Sequence, residues 1–133
     1  MDDIATQPES GSEPESLGAG ATVLSSVFAL LVGIVVGVIT TFTHALAFPW
    51  AGITGLVIVV ALVAGFRLVF DSRIVGAAAA LGVLGALTAL CFPGAGGVVL
   101  ALDGPAGWLW TVGVPVVAAV VLLVPLRAHR LTP

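Results

Sequence analysis

The chain has 133 residues, of which 59% are hydrophobic and only 8% are charged. A soluble domain carries charge on about a quarter of its residues, so this chain has too little polar material to cover a water-facing globule. Its formal net charge of −3 is unevenly placed, because five of the seven acidic residues lie in the first fifteen positions. There is no basic patch, so nucleic acid is not an expected partner. The composition therefore predicts a membrane protein.

Residues 1–20 contain mostly Asp, Glu, Ser, Pro and Gly, with few side chains able to pack. Such a segment buries too little apolar area to offset the entropy lost on ordering. We therefore predict a disordered acidic tail over 1–20. A signal peptide would begin with basic residues, whereas this tail begins with acids. We expect the tail to be retained in the cytoplasm, with the first apolar run as an uncleaved anchor.

Four apolar runs follow, each close to the ~20 residues that a helix needs to cross the ~30 Å hydrocarbon layer. Their predicted ranges are 21–43, 50–69, 74–92 and 108–126. Pro115 lies inside the fourth run, where the missing backbone donor predicts a kink. The sequence thus predicts an all-α membrane protein, with a four-transmembrane-helix bundle over residues 21–130.

Small residues recur along the first and third runs, mostly four positions apart. Small side chains at this spacing let helix backbones approach closely in lipid, where no hydrophobic drive brings helices together. The residues predicted to pack helices in this way are Ala29, Gly33 and Gly37 (with Thr41 continuing the face) on the first run, and Gly76, Ala80, Gly82 and Ala86 on the third.

The arginines predict the orientation of the bundle. Four crossings place both termini on one side, together with the connection between runs two and three. Arg67 and Arg73 flank that connection, and Arg127 and Arg130 follow run four. All four arginines are therefore on one side, which the positive-inside rule makes cytoplasmic. The tryptophans, which favour membrane interfaces, are then expected on the outer side: Trp50, Trp108 and Trp110.

The segment between runs two and three concentrates charge. Near the end of run two, the long side chain of Arg67 is expected to extend to the lipid headgroups. Asp71 lies four residues further on and would share its helix face if the helix continued, which allows an ion pair. Arg67, Asp71 and Arg73 are candidates for contact with anionic lipid headgroups or with an acidic loop of a partner. The simpler interpretation is a topology signal with local pairing.

Groups that carry chemistry are sparse. No run has an ionisable residue at its centre, so proton-coupled transport is not expected. His44, Cys91 and Asp103 fall towards the predicted outer side, where a Cys nucleophile or a metal site is conceivable. The simpler interpretation is that His44 caps a helix, Cys91 packs and Asp103 forms a turn. No catalytic residue, metal ligand or cofactor is predicted.

Several short motifs resemble a known group of proteins. They are Thr41-Phe-Thr-His44, Pro49-Trp50, Arg67, Pro93-Gly94, Asp103-Gly104 and Gly107-Trp108. Together, over about residues 33–123, they resemble an uncharacterised family of small four-helix integral membrane proteins of actinobacteria. The resemblance implies four transmembrane helices and a location in the plasma membrane. It implies no activity and no catalytic residue.

Two functions follow as expectations. The first is a non-catalytic accessory or scaffolding subunit of a larger actinobacterial membrane complex, either respiratory or of the cell envelope. Its partners would be membrane lipids and other membrane subunits. The alternative is a small transporter or channel component that acts as a homo-oligomer. That alternative predicts a water-filled path lined by four threonines: Thr40, Thr54, Thr88 and Thr111.

Overall fold

A computed structural model describes residues 13–43, 46–91 and 104–126 of the chain. It contains four helices: α1 (Glu13–Thr43), α2 (Trp50–Val69), α3 (Arg73–Cys91) and α4 (Pro105–Leu123). Each helix is long and apolar enough to cross a membrane, and the described residues contain no strand. The predicted all-α four-helix bundle is confirmed, and the chain is a multi-pass membrane protein.

Helix α1 begins earlier than the apolar pattern predicted. It starts at Glu13, so residues 13–20, which were assigned to the tail, are helical. The reason is visible in the sequence: Pro14 suits the first turn of a helix, where its fixed φ fits and a backbone N–H is not needed. The prediction placed the start at residue 21 because it used only the onset of the apolar run. The predicted disorder of residues 1–12 lies outside the described residues.

Both ends of α4 also differ from the prediction of 108–126, and prolines explain the difference. Pro105 takes the first helical position after Gly104, whose φ is 122°, and proline is well suited to that position. At the other end, Val124 is extended, with φ −64° and ψ 128°, as expected for a residue before proline. Pro125 therefore ends the helix at Leu123. Within these limits α4 is continuous through Pro115.

The two central helices, α2 and α3, connect the bundle. Helix α3 packs against the three others, whereas α1 and α4 are almost out of contact with each other. A buried cluster joins α2, α3 and α4 and includes Val59, Val83 and Trp110. A second, smaller cluster of Ala29, Val75 and Ala79 joins α1 and α3.

The helix-packing residues predicted on α1 and α3 are all buried. A Cβ placed on Gly37 would lie 2.9 Å from the Ala86 Cβ and 3.0 Å from the Val83 Cα. A Cβ on Gly82 would lie 2.9 Å from the Ile34 backbone nitrogen and 3.0 Å from the Gly33 Cα. The two helices therefore touch backbone to backbone. We call this contact the α1–α3 seam.

Trp110 faces the interior of the bundle, whereas the sequence prediction had it line the outer interface with Trp50 and Trp108. Trp50 and Trp108 are 74% and 61% exposed, but Trp110 is 1% exposed. Its ring lies over Gly55, and its Nε1–H donates to the Thr41 hydroxyl at 3.2 Å. An indole that is fully buried needs such an acceptor. Trp110 is thus a core residue that joins α4 to α1 and α2.

Candidate functional site

The charged end of the bundle centres on Arg67, in the last turn of α2. Its side chain is only 6% exposed and crosses the face of α3 at Gly76. A Cβ on Gly76 would overlap the Arg67 Cγ and would lie 3.1 Å from its Cδ. The absence of a side chain at Gly76 therefore leaves the space that the Arg67 side chain occupies between α2 and α4.

The guanidinium group ends at the C-terminus of α4. Its Nη1 group donates to the carbonyl oxygen of Val121, and also to that of Val124 at 2.9 Å. In a continuous helix the Val121 carbonyl would accept from the backbone N–H of residue 125, but residue 125 is proline and has none. Arg67 therefore supplies the donor that Pro125 removes, and its charge faces the negative end of the α4 dipole.

This arrangement changes the expectations for Arg67. Its guanidinium is held against the end of α4, and it makes no ion pair with Asp71 among the described residues. The backbone explains the missing pair. Asp71 has a φ of 46°, the left-handed conformation that Asp and Asn tolerate better than most residues. Because the helix has already ended at Val69, Asp71 does not share the helical face of Arg67.

A cleft of about 220 Å³ opens beside the guanidinium. It lies where the α2–α3 turn meets the end of α4. Its lining residues are Arg67, Asp71, Ser72, Arg73, Pro125 and Leu126. We call it the arginine cleft. The structure thus brings three predicted site residues together, Arg67, Asp71 and Arg73, while Arg127 and Arg130 lie outside the described residues.

Sequence reasoning missed the contact between Arg67 and α4, although one signal was available. The chain has a proline four residues after Val121, so the sequence already shows that this carbonyl lacks its helical donor. What the sequence does not show is which side chain replaces that donor. The partner is 54 positions away along the chain.

At the end of the bundle opposite Arg67, the described residues include few side chains that could bind a metal or act as a nucleophile. Cys91 is a free, half-buried thiol, while His44 and Asp103 lie outside the described residues, so their convergence with Cys91 stays a hypothesis. Within ranges 13–43, 46–91 and 104–126, no three His, Cys, Asp or Glu side chains are grouped to hold a metal ion.

The four threonines of the transport alternative do not line one path through the chain. The Thr40 hydroxyl is buried and donates to the Val36 carbonyl of its own helix at 2.7 Å. Thr54 and Thr88 are exposed on the outside of the bundle, and each donates to a carbonyl of its own helix. A single chain therefore has no interior path lined by all four.

One face of α3 is open, in contrast to the face buried against α1. It consists of Leu81, Gly85, Thr88 and Ala89, all exposed. We call it the α3 outer face. A groove of about 430 Å³ separates it from α1, and a groove of about 530 Å³ separates it from α4. In the second groove the Thr111 hydroxyl is buried and has no hydrogen-bond partner among the described residues.

No family model, curated protein or solved structure matches this chain.

Proposed function

We propose that the chain is a non-catalytic accessory subunit that docks a transmembrane helix of a larger membrane complex onto the α3 outer face. The observation that carries the proposal is the open backbone at Gly85. A Cβ placed there meets no atom within 4 Å, so a partner backbone has room to approach. Gly85 and Ala89 repeat the small-residue spacing that α1 already uses on the opposite side of α3.

Polar groups on this face fit the same role. In hydrocarbon, hydroxyl groups at helix contacts serve as hydrogen-bonding groups between helices. Thr88 lies on the α3 outer face, and the unpartnered Thr111 hydroxyl lies in the adjoining groove. The exposed oxygen of Thr88 is able to accept a hydrogen bond from an incoming helix. The partner is therefore an apolar transmembrane helix with a small-residue face and one hydrogen-bond donor side chain.

The host and the orientation belong to the same proposal. The resemblance to actinobacterial membrane proteins supports a plasma-membrane complex, respiratory or of the cell envelope, as the host. The arginine distribution supports cytoplasmic termini. Arg67 and Arg73 lie at the same end of the bundle as Leu126. Because Arg127 directly follows Leu126 in the chain, this is the end at which the arginines are expected to gather. A reporter enzyme that works only outside the cytoplasm should be inactive when fused at Arg130 and active when fused near Gly96; the reverse pattern contradicts the orientation.

Gly85→Leu tests the docking role. The new side chain enters open space, so the bundle itself should fold normally, but it blocks approach to the α3 outer face. We expect a stoichiometric partner to co-purify with the natural chain in mild detergent and to be lost from Gly85→Leu. The matched control is Ala119→Leu, an exposed position on α4, which should retain the partner. Equal retention by both variants, or a natural chain that purifies alone, contradicts the proposal.

A photo-cross-linking experiment separates the accessory subunit from the homo-oligomeric alternative. A photo-reactive residue at Leu81, 62% exposed, should cross-link to a different polypeptide, and one at Val57, 60% exposed on α2, should cross-link mainly to lipid. If the Leu81 product is a dimer of this chain, the α3 outer face joins copies of the chain. That outcome replaces the accessory subunit by the homo-oligomer.

A further inference from the structure

We propose that the arginine cleft binds the phosphate group of an anionic phospholipid. The arginine cleft is separate from the α3 outer face and lies at one end of the membrane spans, so the two proposals do not depend on each other.

Among the described residues, the cleft carries more positive than negative charge. Arg67 and Arg73 contribute two positive charges and Asp71 one negative charge. Arg67 is 6% exposed, yet its acceptors are two neutral carbonyl groups. A charge that is removed from water is costly unless it is paired. The partial negative charge at the end of α4 offsets about half of one charge, so an anion in the cleft would complete the balance.

The guanidinium also has donors to spare. Nη1 uses its hydrogens on Val121 and Val124. The Nε and Nη2 groups of Arg67 have no acceptor among the described residues, and neither atom is sealed away from solvent. Arginine binds phosphate through this planar set of parallel N–H groups. Arg67 is therefore fixed in place on one side and open to a phosphate oxygen on the other.

Helix α3 begins at the same place. The Ser72 carbonyl accepts the backbone N–H of Gly76 at 3.3 Å, so the first turn of α3 starts at the wall of the cleft. The N–H groups of a first helical turn have no acceptor within the helix, and the positive end of the dipole favours an anion there. Arg73, the first residue of α3, is exposed and adds a second positive charge to the lining of the cleft.

Size and position favour a lipid headgroup over a soluble ligand or a peptide. At about 220 Å³ the cleft is below the ~300–1,000 Å³ of pockets that enclose a whole small molecule. It lies between the end of one membrane-spanning helix at Val69 and the start of the next at Arg73, which is the level of the headgroups. The phosphate of a neighbouring phospholipid reaches this depth while its acyl chains stay in the bilayer.

Two substitutions with opposite expected effects test the proposal. Arg73→Gln removes an exposed cation and should weaken binding about fivefold, the effect of one basic residue near an anionic surface. Asp71→Asn removes the competing carboxylate and should strengthen binding by a similar factor; asparagine tolerates the left-handed backbone at position 71. Both residues are exposed, so the bundle should fold in each variant.

The measurement uses the full chain in lipid nanodiscs. Native mass spectrometry counts the lipids that remain bound to the chain released from phosphatidylglycerol, phosphatidylcholine or mixed discs. We expect retention of phosphatidylglycerol, with less in Arg73→Gln and more in Asp71→Asn. Soluble glycerol 3-phosphate, added in excess, should displace little of the lipid; complete displacement would identify a free phosphate ester as the ligand. Equal retention of both lipids, or no response to either substitution, overturns the proposal. Binding of an acidic peptide in preference to phosphatidylglycerol would also overturn it.

Discussion

Two of the contacts that hold this bundle together use glycine in different ways. At the α1–α3 seam, Gly33, Gly37 and Gly82 bring backbone against backbone. Between α2 and α4, glycines receive large side chains instead: a Cβ on Gly55 would lie 2.6 Å from the Trp110 ring, and one on Gly113 would lie 3.3 Å from Leu56. We call this second contact the α2–α4 contact.

The difference determines what each contact tolerates. Backbone atoms cannot move without separating the helices, so the α1–α3 seam is a rigid contact, stabilised by van der Waals packing at close range. A side chain that fills a glycine gap can shift by rotation about its χ angles, although a fully buried ring shifts only if its neighbours also move. The α1–α3 seam should therefore respond to an added atom more strongly than the α2–α4 contact.

The largest effect is expected from Gly82→Leu. Its Cβ alone would meet the backbone of α1 at 2.9 and 3.0 Å, and the rest of the side chain has no space. Overpacking of this kind costs about 3 kcal/mol, and α1 would have to leave α3. Reversible unfolding in mixed micelles measures the loss. Gly85→Leu, one turn along the same helix and facing open space, is the matched control, and similar losses in the two variants would contradict a rigid seam.

Arg67→Met is expected to rank second, at about 2 to 3 kcal/mol. It keeps much of the aliphatic packing over Gly76 but removes charged hydrogen bonds to α4, and the Val121 carbonyl loses its donor. Pro125→Ala supplies a backbone N–H for that carbonyl. The cost of Arg67→Met, measured by the same unfolding assay, should therefore fall by about 1 kcal/mol in the Pro125→Ala background. An unchanged cost in that background would show that Arg67 does not replace the missing donor.

The sequence was sufficient to predict the small-residue faces of α1 and α3, but neither that these two faces meet nor the α2–α4 contact. A spacing of four is visible along one helix, and Gly33 and Gly37 are small whatever they face. Trp110 was assigned to the interface because of its residue type, the usual preference of tryptophan in membranes. Its actual place depends on Gly55 and Thr41, which come from two other helices. Residue type could not reveal that combination.

The candidate site likewise has one feature that the sequence predicted and one that it did not. The charges of Arg67, Asp71 and Arg73 are adjacent in the chain, so their shared location was predictable. The pairing of Arg67 with Asp71 required the helix to continue to position 71, and this condition is not met because α2 ends at Val69. Helix ends are the least certain feature of a sequence pattern. The use of Arg67 as a donor to α4 depends on a contact between distant segments, which hydrophobic periodicity does not report.

Gly55→Ala tests whether the α2–α4 contact is the more tolerant of the two. The added methyl group would meet the far edge of the Trp110 ring at 2.6 and 2.7 Å, and the ring can tilt. We expect a loss of about 1 kcal/mol, smaller than the loss from Gly82→Ala, where the same methyl group meets backbone. Unfolding of both variants, with tryptophan fluorescence as a second signal, measures the difference. A larger loss from Gly55→Ala would mean that the buried ring is the less movable partner.

The smallest effect concerns the hydrogen bond between Trp110 and Thr41, the polar contact that joins α4 to α1 among the described residues. Hydrogen bonds between membrane helices contribute about 0.6 kcal/mol on average, since the polar groups also find partners in the unfolded state within the membrane. A double-mutant cycle of Trp110→Phe and Thr41→Val should give a coupling energy of this size. Each single variant should lose more than the coupling energy, because each also changes packing around a buried residue. A coupling energy above about 2 kcal/mol would contradict this expectation. Polar pairing to α1 would then hold α4 in the bundle in addition to its packing against the glycines of α2.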